Sequence, residues 1–173
     1  MKIYVMSRFE ILKYLEKNPN FADGKWVISI FDKGSFSPFP DRFNVLKLEF
    51  DDVTERDTED GLLHFNVELA KKIHEFIKNI PADDKKEFIV HCAAGVSRSG
   101  AVGYMMNEWF NKFLKMNRID NEAFTMNNPH IMPNPEVVRI LKNELFGTDY
   151  RGVFVNDYTY DMYGDRHDNF KEV

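Results

Sequence analysis

His91-Cys92-Ala93-Ala94-Gly95-Val96-Ser97-Arg98-Ser99-Gly100 brings together residue types that can do chemistry on an anion. Cys92 is the only cysteine of the chain, and Arg98 stands six positions after it. A thiolate is the nucleophile of cysteine chemistry, and a free thiol, titrating near roughly 8.5, is mostly protonated in neutral water. Backbone N–H groups of a small-residue loop, the positive end of a following helix and the Arg98 cation would each favour the anion. The same groups suit the three non-bridging oxygens of a phosphoryl group, and Arg98 offers a planar fork that grips two of them. Ala93, Ala94 and Gly95 keep the loop floor narrow, so that backbone can approach a dianion. Ser99 can donate a hydrogen bond to the Cys92 sulfur when the sulfur acts as a leaving group. His91 reads as an internal scaffold that orients the loop rather than as a proton shuttle.

Such a loop needs elements to hold it. Phe88-Ile89-Val90 precedes it as a short apolar run, a buried strand, and Ala101–Met106 follows as the start of a buried helix. Strand, small-residue loop and helix N-terminus form a geometry that binds phosphate. Further upstream, Ile3–Met6 reads as a strand, and Ser7-Arg8-Phe9-Glu10 as a capping box opening a helix that Asn18-Pro19 ends. Trp26–Phe31 is apolar at nearly every position, a strand buried on both faces. Residues 32–44 contain Gly34, Pro38 and Pro40 and form a loop, and Val45–Phe50 is a third strand. An acidic stretch follows from Asp51 to Asp60. Leu62, Phe65, Leu69, Ile73, Phe76 and Ile80 step at helical spacing, with Pro81 as the stop. Asn134-Pro135-Glu136 is a helix start, Val137, Val138, Leu141 and Leu145 are its apolar face, and Gly147 closes it. Strands alternating with helices predict an α/β fold: a three-layer sandwich with a central, mainly parallel twisted sheet flanked by helices. Ligands of such sheets bind at the carboxyl ends of the strands, where Cys92 falls.

Taken together, His-Cys-x5-Arg-Ser-Gly resembles the signature of the cysteine-dependent protein tyrosine phosphatase superfamily. The interior Ala-Gly-Val-Ser-Arg-Ser is most similar to the dual-specificity branch and its small bacterial and phage relatives. The similarity runs from about Trp26 to about Leu145 and includes the Pro133-Asn134-Pro135 start of the late helix. It implies that Cys92 attacks phosphorus, that Ala93, Ala94, Gly95, Val96, Ser97 and Arg98 bind the phosphate, and that water hydrolyses a cysteinyl-phosphate without metal or other cofactor. It also implies a general acid, an Asp on the loop after a sheet strand. Asp52, just past the third strand, is the first choice. Asp57 competes because its 35-residue separation from Cys92 is closer to the usual spacing than the 40 of Asp52. Asp51, which points the other way if the strand continues, and Asp60 complete the set. The implied substrate is a phosphotyrosine protein or peptide, with phosphoserine and phosphothreonine if the specificity is dual. A phosphoinositide or RNA 5′-triphosphate substrate is the second reading, disfavoured by a loop interior without basic residues. A non-catalytic phosphopeptide-binding module is the third.

The rest of the chain narrows the setting. A length of 173 residues suits one core, with residues 1–147 as the phosphatase domain of this reading. Residues 148–173 form an acidic, tyrosine-rich extension that packs on the same domain or acts as a flap over the site. A net charge of -5 argues against bulk nucleic-acid or anionic-membrane binding. A lone cysteine forms no internal disulfide and Ile3–Met6 is too short for a signal-peptide core, so a cytoplasmic location is expected. Phe36 and Phe39 are candidates to wall a substrate ring, His130 could line the pocket, and His64 and His74 read as solvated.

Overall fold

The computed structural model describes residues 1–81, 85–115 and 119–148. Four strands, β1 (Lys2–Ser7), β2 (Trp26–Phe31), β3 (Val45–Glu49) and β4 (Glu87–Cys92), form one sheet in the order β1-β4-β2-β3. Every pairing is parallel. The register sets Ser7 beside Cys92 and Ser29 beside His91, so the ends of β1, β2 and β4 converge where the loop begins. Parallel strands need helical crossovers, and these cover the sheet on both faces.

One face carries Val27 and Ile89, packed with Ile11 of α1 (Arg8–Lys17), Ala22 and Phe39. The other carries Ile28, Ile30, Leu48, Phe88 and Val90 against α2 (Val67–Lys78), α3 (Arg98–Asn107) and α5 (Pro135–Phe146). The three-layer expectation holds, with successive side chains of each strand feeding opposite cores. All ten residues of α3 are buried, which explains why that stretch shows no polar stripe. Gly103 lets α3 lie against β1, because a Cβ there would sit 2.6 Å from Val5 Cγ2.

Two elements differ from the sequence reading. α2 starts at Val67, not Leu62, because Asn66 caps it through Leu69 N–H at 3.1 Å while Leu63 N–H is held by the Asp51 carboxylate at 2.9 Å. Phe65 still enters the core, its ring 4.9 Å from that of Phe50. After α3 the chain widens into a π-type turn over Glu108–Phe113, and a short α4 (Asn121–Asn127), capped by Asp120, follows. Buried amides tie this region together: Asn107 Nδ2 donates to Asn121 Oδ1 at 2.8 Å and Asn121 Nδ2 to Glu108 Oε2 at 2.9 Å. The acidic extension lies outside the described residues beyond Thr148. Among the described residues no helix is long and apolar enough to cross a membrane.

Candidate active site

The capping box of α1 is present: Ser7 Oγ accepts from Glu10 N–H at 3.2 Å, and Glu10 Oε2 accepts from Ser7 N–H at 2.8 Å. Bonds to Oε2 from Ser7 N–H and, also at 2.8 Å, from Ser7 Oγ hold the Glu10 carboxyl below the usual carboxylate range. They also fix the turn against which the cysteine loop leans. Arg8 N–H donates to Ala93 O at 3.2 Å. Gly95 has φ of +76°, and a Cβ there would meet Ser7 N at 2.5 Å and Met6 C at 2.7 Å. Glycine is thus required twice over, for its backbone conformation and for its lack of a side chain.

Loop carbonyls point outward. Besides Ala93 O, Val96 O accepts from Met132 N–H and Ser97 O from Asn134 N–H, both at 3.2 Å. No peptide bond among the described residues is cis. In a trans peptide the N–H opposes the preceding C=O, so the N–H groups of Ala94, Ser97 and Arg98 face the opposite way, into the loop. Gly95 N–H donates to Cys92 Sγ at 3.3 Å, and Ser99 Oγ lies 3.1 Å from the same sulfur. N–H groups at the start of α3, gathered around the sulfur, have the arrangement that suits an anion.

Arg98 is 3% exposed, and its guanidinium is held at Nη1 by a hydrogen bond to Phe50 O and an ion pair with Asp32 Oδ1, each at 2.7 Å. Its Cζ lies 6.0 Å from the centroid of the Phe50 ring. Nε is buried without a hydrogen-bond partner. A buried donor is costly to leave unpaired, and an anionic oxygen is the kind of acceptor that would satisfy it. Sequence reasoning missed Asp32, reading it as the start of a loop. Its place at the carboxyl end of β2, the same sheet end as Cys92, was the available signal.

The acidic loop sorts itself by contacts. Asp51 accepts from Leu63 N–H at 2.9 Å and Lys33 N–H at 3.2 Å, and these bonds, the first above all, hold its carboxyl low. Asp57 closes its own turn on Thr54 N–H at 2.7 Å and Thr54 Oγ1 at 3.0 Å, and is held low in the same way. Asp60 is exposed. Of the four, Asp52 alone bonds the cysteine loop among the described residues: Ser97 Oγ donates to its Oδ1 at 2.7 Å. Asn134 Nδ2 reaches the same oxygen at 3.0 Å.

His91 is fully buried, and burial, with the Arg8 cation, pushes its pKa down to about 4. The ring is therefore neutral at physiological pH. Its Nε2 meets Ser29 Oγ at 2.7 Å, Ser29 meets Ser37 Oγ at 2.7 Å, and Ser37 Oγ accepts from Phe39 N–H at 3.2 Å. This chain ties the cysteine strand to the 32–44 loop.

Two other expectations are corrected, those for Phe39 and His74. Phe39 does not wall a pocket; it is 3% exposed, with its ring 5.5 Å from that of His91. Phe36 is 70% exposed, with Arg8 Cζ 4.9 Å from its ring centroid. His74 is not solvated, since Nδ1 meets Glu144 Oε1 at 2.8 Å and its ring stands edge-on to Trp109. His130 is exposed and acts electrostatically on Glu10.

No protein-family model matches this chain, and no curated protein does. Solved structures with a similar course include Tk-PTP in its active form, 17% identical with a TM-score of 0.49 over 82% of this chain and 88% of that one. A human tyrosine phosphatase-like serine/threonine/tyrosine-interacting protein is 21% identical, with a TM-score of 0.46 over 79% and 83%. DUSP15 is 19% identical, with a TM-score of 0.47 over 85% and 83%. Likeness at this level leaves the chemistry to be argued from the site itself.

Proposed function

We propose that this chain is a cysteine-dependent phosphatase of the protein tyrosine or dual-specificity type, hydrolysing phosphomonoesters through a cysteinyl-phosphate. The observation that carries the reading is the surroundings of Cys92: inward N–H groups, Gly95 N–H and the Ser99 hydroxyl at the sulfur, and a buried arginine with an unpaired Nε. In this reading the Cys92 thiolate attacks phosphorus as the bond to the leaving oxygen breaks. Asp52 gives that oxygen its proton. Arg98 and the loop amides hold the three equatorial oxygens, where charge develops in the transition state. Water then attacks the cysteinyl-phosphate, Asp52 takes its proton, and the P–S bond breaks with Ser99 donating to the departing sulfur. Inorganic phosphate leaves. His91 stays neutral and holds the loop.

A phosphotyrosine protein or peptide in the cytoplasm is the substrate of this reading. Phe36, exposed beside Arg8, is one aromatic side chain of the 32–44 loop available to meet an aromatic ring. The deciding experiment is steady-state hydrolysis of a small aryl phosphate and of a phosphotyrosine peptide by wild type, Cys92→Ser and Arg98→Lys. Both variants are expected to lose nearly all turnover, while Cys92→Ser still binds phosphopeptide. A Cys92→Ser protein with wild-type turnover would refute the mechanism.

A further inference from the structure

Asn134 is 4% exposed and connects three segments. Its Oδ1 accepts from Glu136 N–H at 3.0 Å and Val137 N–H at 3.2 Å, capping α5. Its Nδ2 donates to Asp52 Oδ1 at 3.0 Å and Val53 O at 3.2 Å. Its backbone N–H donates to Ser97 O at 3.2 Å. The amide has two lone pairs on oxygen and two hydrogens on nitrogen, and all four are used. Its orientation has no alternative: a flipped amide would set its oxygen against a carboxylate and a carbonyl and leave two helix N–H groups unpaired.

We infer that Asn134 is a positioning residue for the proton donor, fixing which oxygen of Asp52 carries the proton; this rests on the reading of Asp52 as general acid. Asp52 Oδ1 accepts from both Asn134 Nδ2 and Ser97 Oγ. An oxygen accepting two donors is the poorer place for a proton, so the proton of the acid form resides on Oδ2. The same amide holds Val53 O, so the backbone that follows Asp52 cannot swing away while the cap of α5 is formed. The asparagine of an N-cap therefore serves the reaction through its nitrogen and the helix through its oxygen. Sequence reading gives the oxygen's role alone, because capping is local and the nitrogen's partners lie 81 and 82 residues away.

The two roles separate in Asn134→Ser and Asn134→Thr. Both replacements are good N-caps, and neither can donate as the amide does. The readout is kcat/KM across aryl phosphates whose phenols range from acidic to weakly acidic. An acidic phenol departs without a proton and a weakly acidic one does not. Wild type should be nearly insensitive to the phenol, and Asp52→Asn should fall steeply as the phenol becomes a weaker acid. Asn134→Ser should follow Asp52→Asn, losing on the order of 10- to 100-fold on phenyl phosphate, the scale expected of a misplaced catalytic group. The loss with the most acidic phenol should be several-fold smaller. The thermal unfolding midpoint, read alongside, reports the cap, and Asn134→Thr supplies the same comparison if the serine variant fails to fold. A uniform loss on every substrate, or a slope matching wild type, overturns the inference while the proposed function stands. A wild type without aryl phosphatase activity, or an Asp52→Asn variant with the wild-type slope, overturns the reading beneath it.

Discussion

Asp32 holds Arg98 by one nitrogen and leaves the Nε edge of the guanidinium unpaired. A carboxylate that takes Nη1 away from the pocket orients the fork without competing for phosphate. Asp32→Asn keeps the shape and removes the charge, so kcat/KM for an aryl phosphate should fall by about 10-fold or more, the scale of a broken ion pair on a buried arginine. The unfolding midpoint, half of the Asp32 side chain being exposed, should move little. Neither Asp32 nor the nitrogen of Asn134 was legible in the sequence, because both act across the sheet end on partners far along the chain. Cys92, Arg98 and Ser99 were legible, since their relation is one loop and one helical turn. His91 yields a pH prediction. Its pKa lies near 4 in the fold against an ordinary 6.5, so the unfolded chain binds a proton between these values that the folded one does not. Stability from the neutral ring is thus complete above pH 6.5 and is lost as pH falls toward 4, on the order of 3 kcal/mol in all. Denaturant titrations at several pH values should show His91→Gln lacking this part of the acid dependence. Equal pH slopes for the two proteins would sink the assignment.

At the level of elements, the loop is a turn pressed against the end of another strand. Gly95→Ala must move either Ser7 backbone or its own, since a Cβ at 2.5 Å from a backbone nitrogen has nowhere to go. Turnover should drop by at least 10-fold, and the protein should lose roughly 1–3 kcal/mol of stability, the cost of overpacking plus an unfavourable φ. Kinetics and urea unfolding check the two parts separately. The strands and α1, α3 and α5 could be read from sequence because their signals are local: apolar runs, a capping box, an Asn-Pro start. The first turn of the α2 stripe could not, since Leu63 obeys Asp51, a partner in a different segment. The α4 region hid for a related reason. Its buried Asn107, Glu108, Asn111 and Asn121 look like surface residues until they satisfy one another.

For the molecule as a whole, one thiol means one cysteine to oxidise and no second thiol to trap it. Peroxide should inactivate the protein without any internal disulfide, and an added small thiol should restore activity while the sulfur is still a sulfenic acid. Activity that never returns, even after brief exposure, would show that the loop does not protect that state. The strand order also bears on how the protein is made. β4 lies between β1 and β2, so until residues 87–92 leave the ribosome, β1 has no neighbour and β2 has only β3. The strand that ends in Cys92 closes the sheet. Completion of the sheet and the placing of Cys92 beside Ser7 are then a single event, and a chain that stops short of β4 has neither.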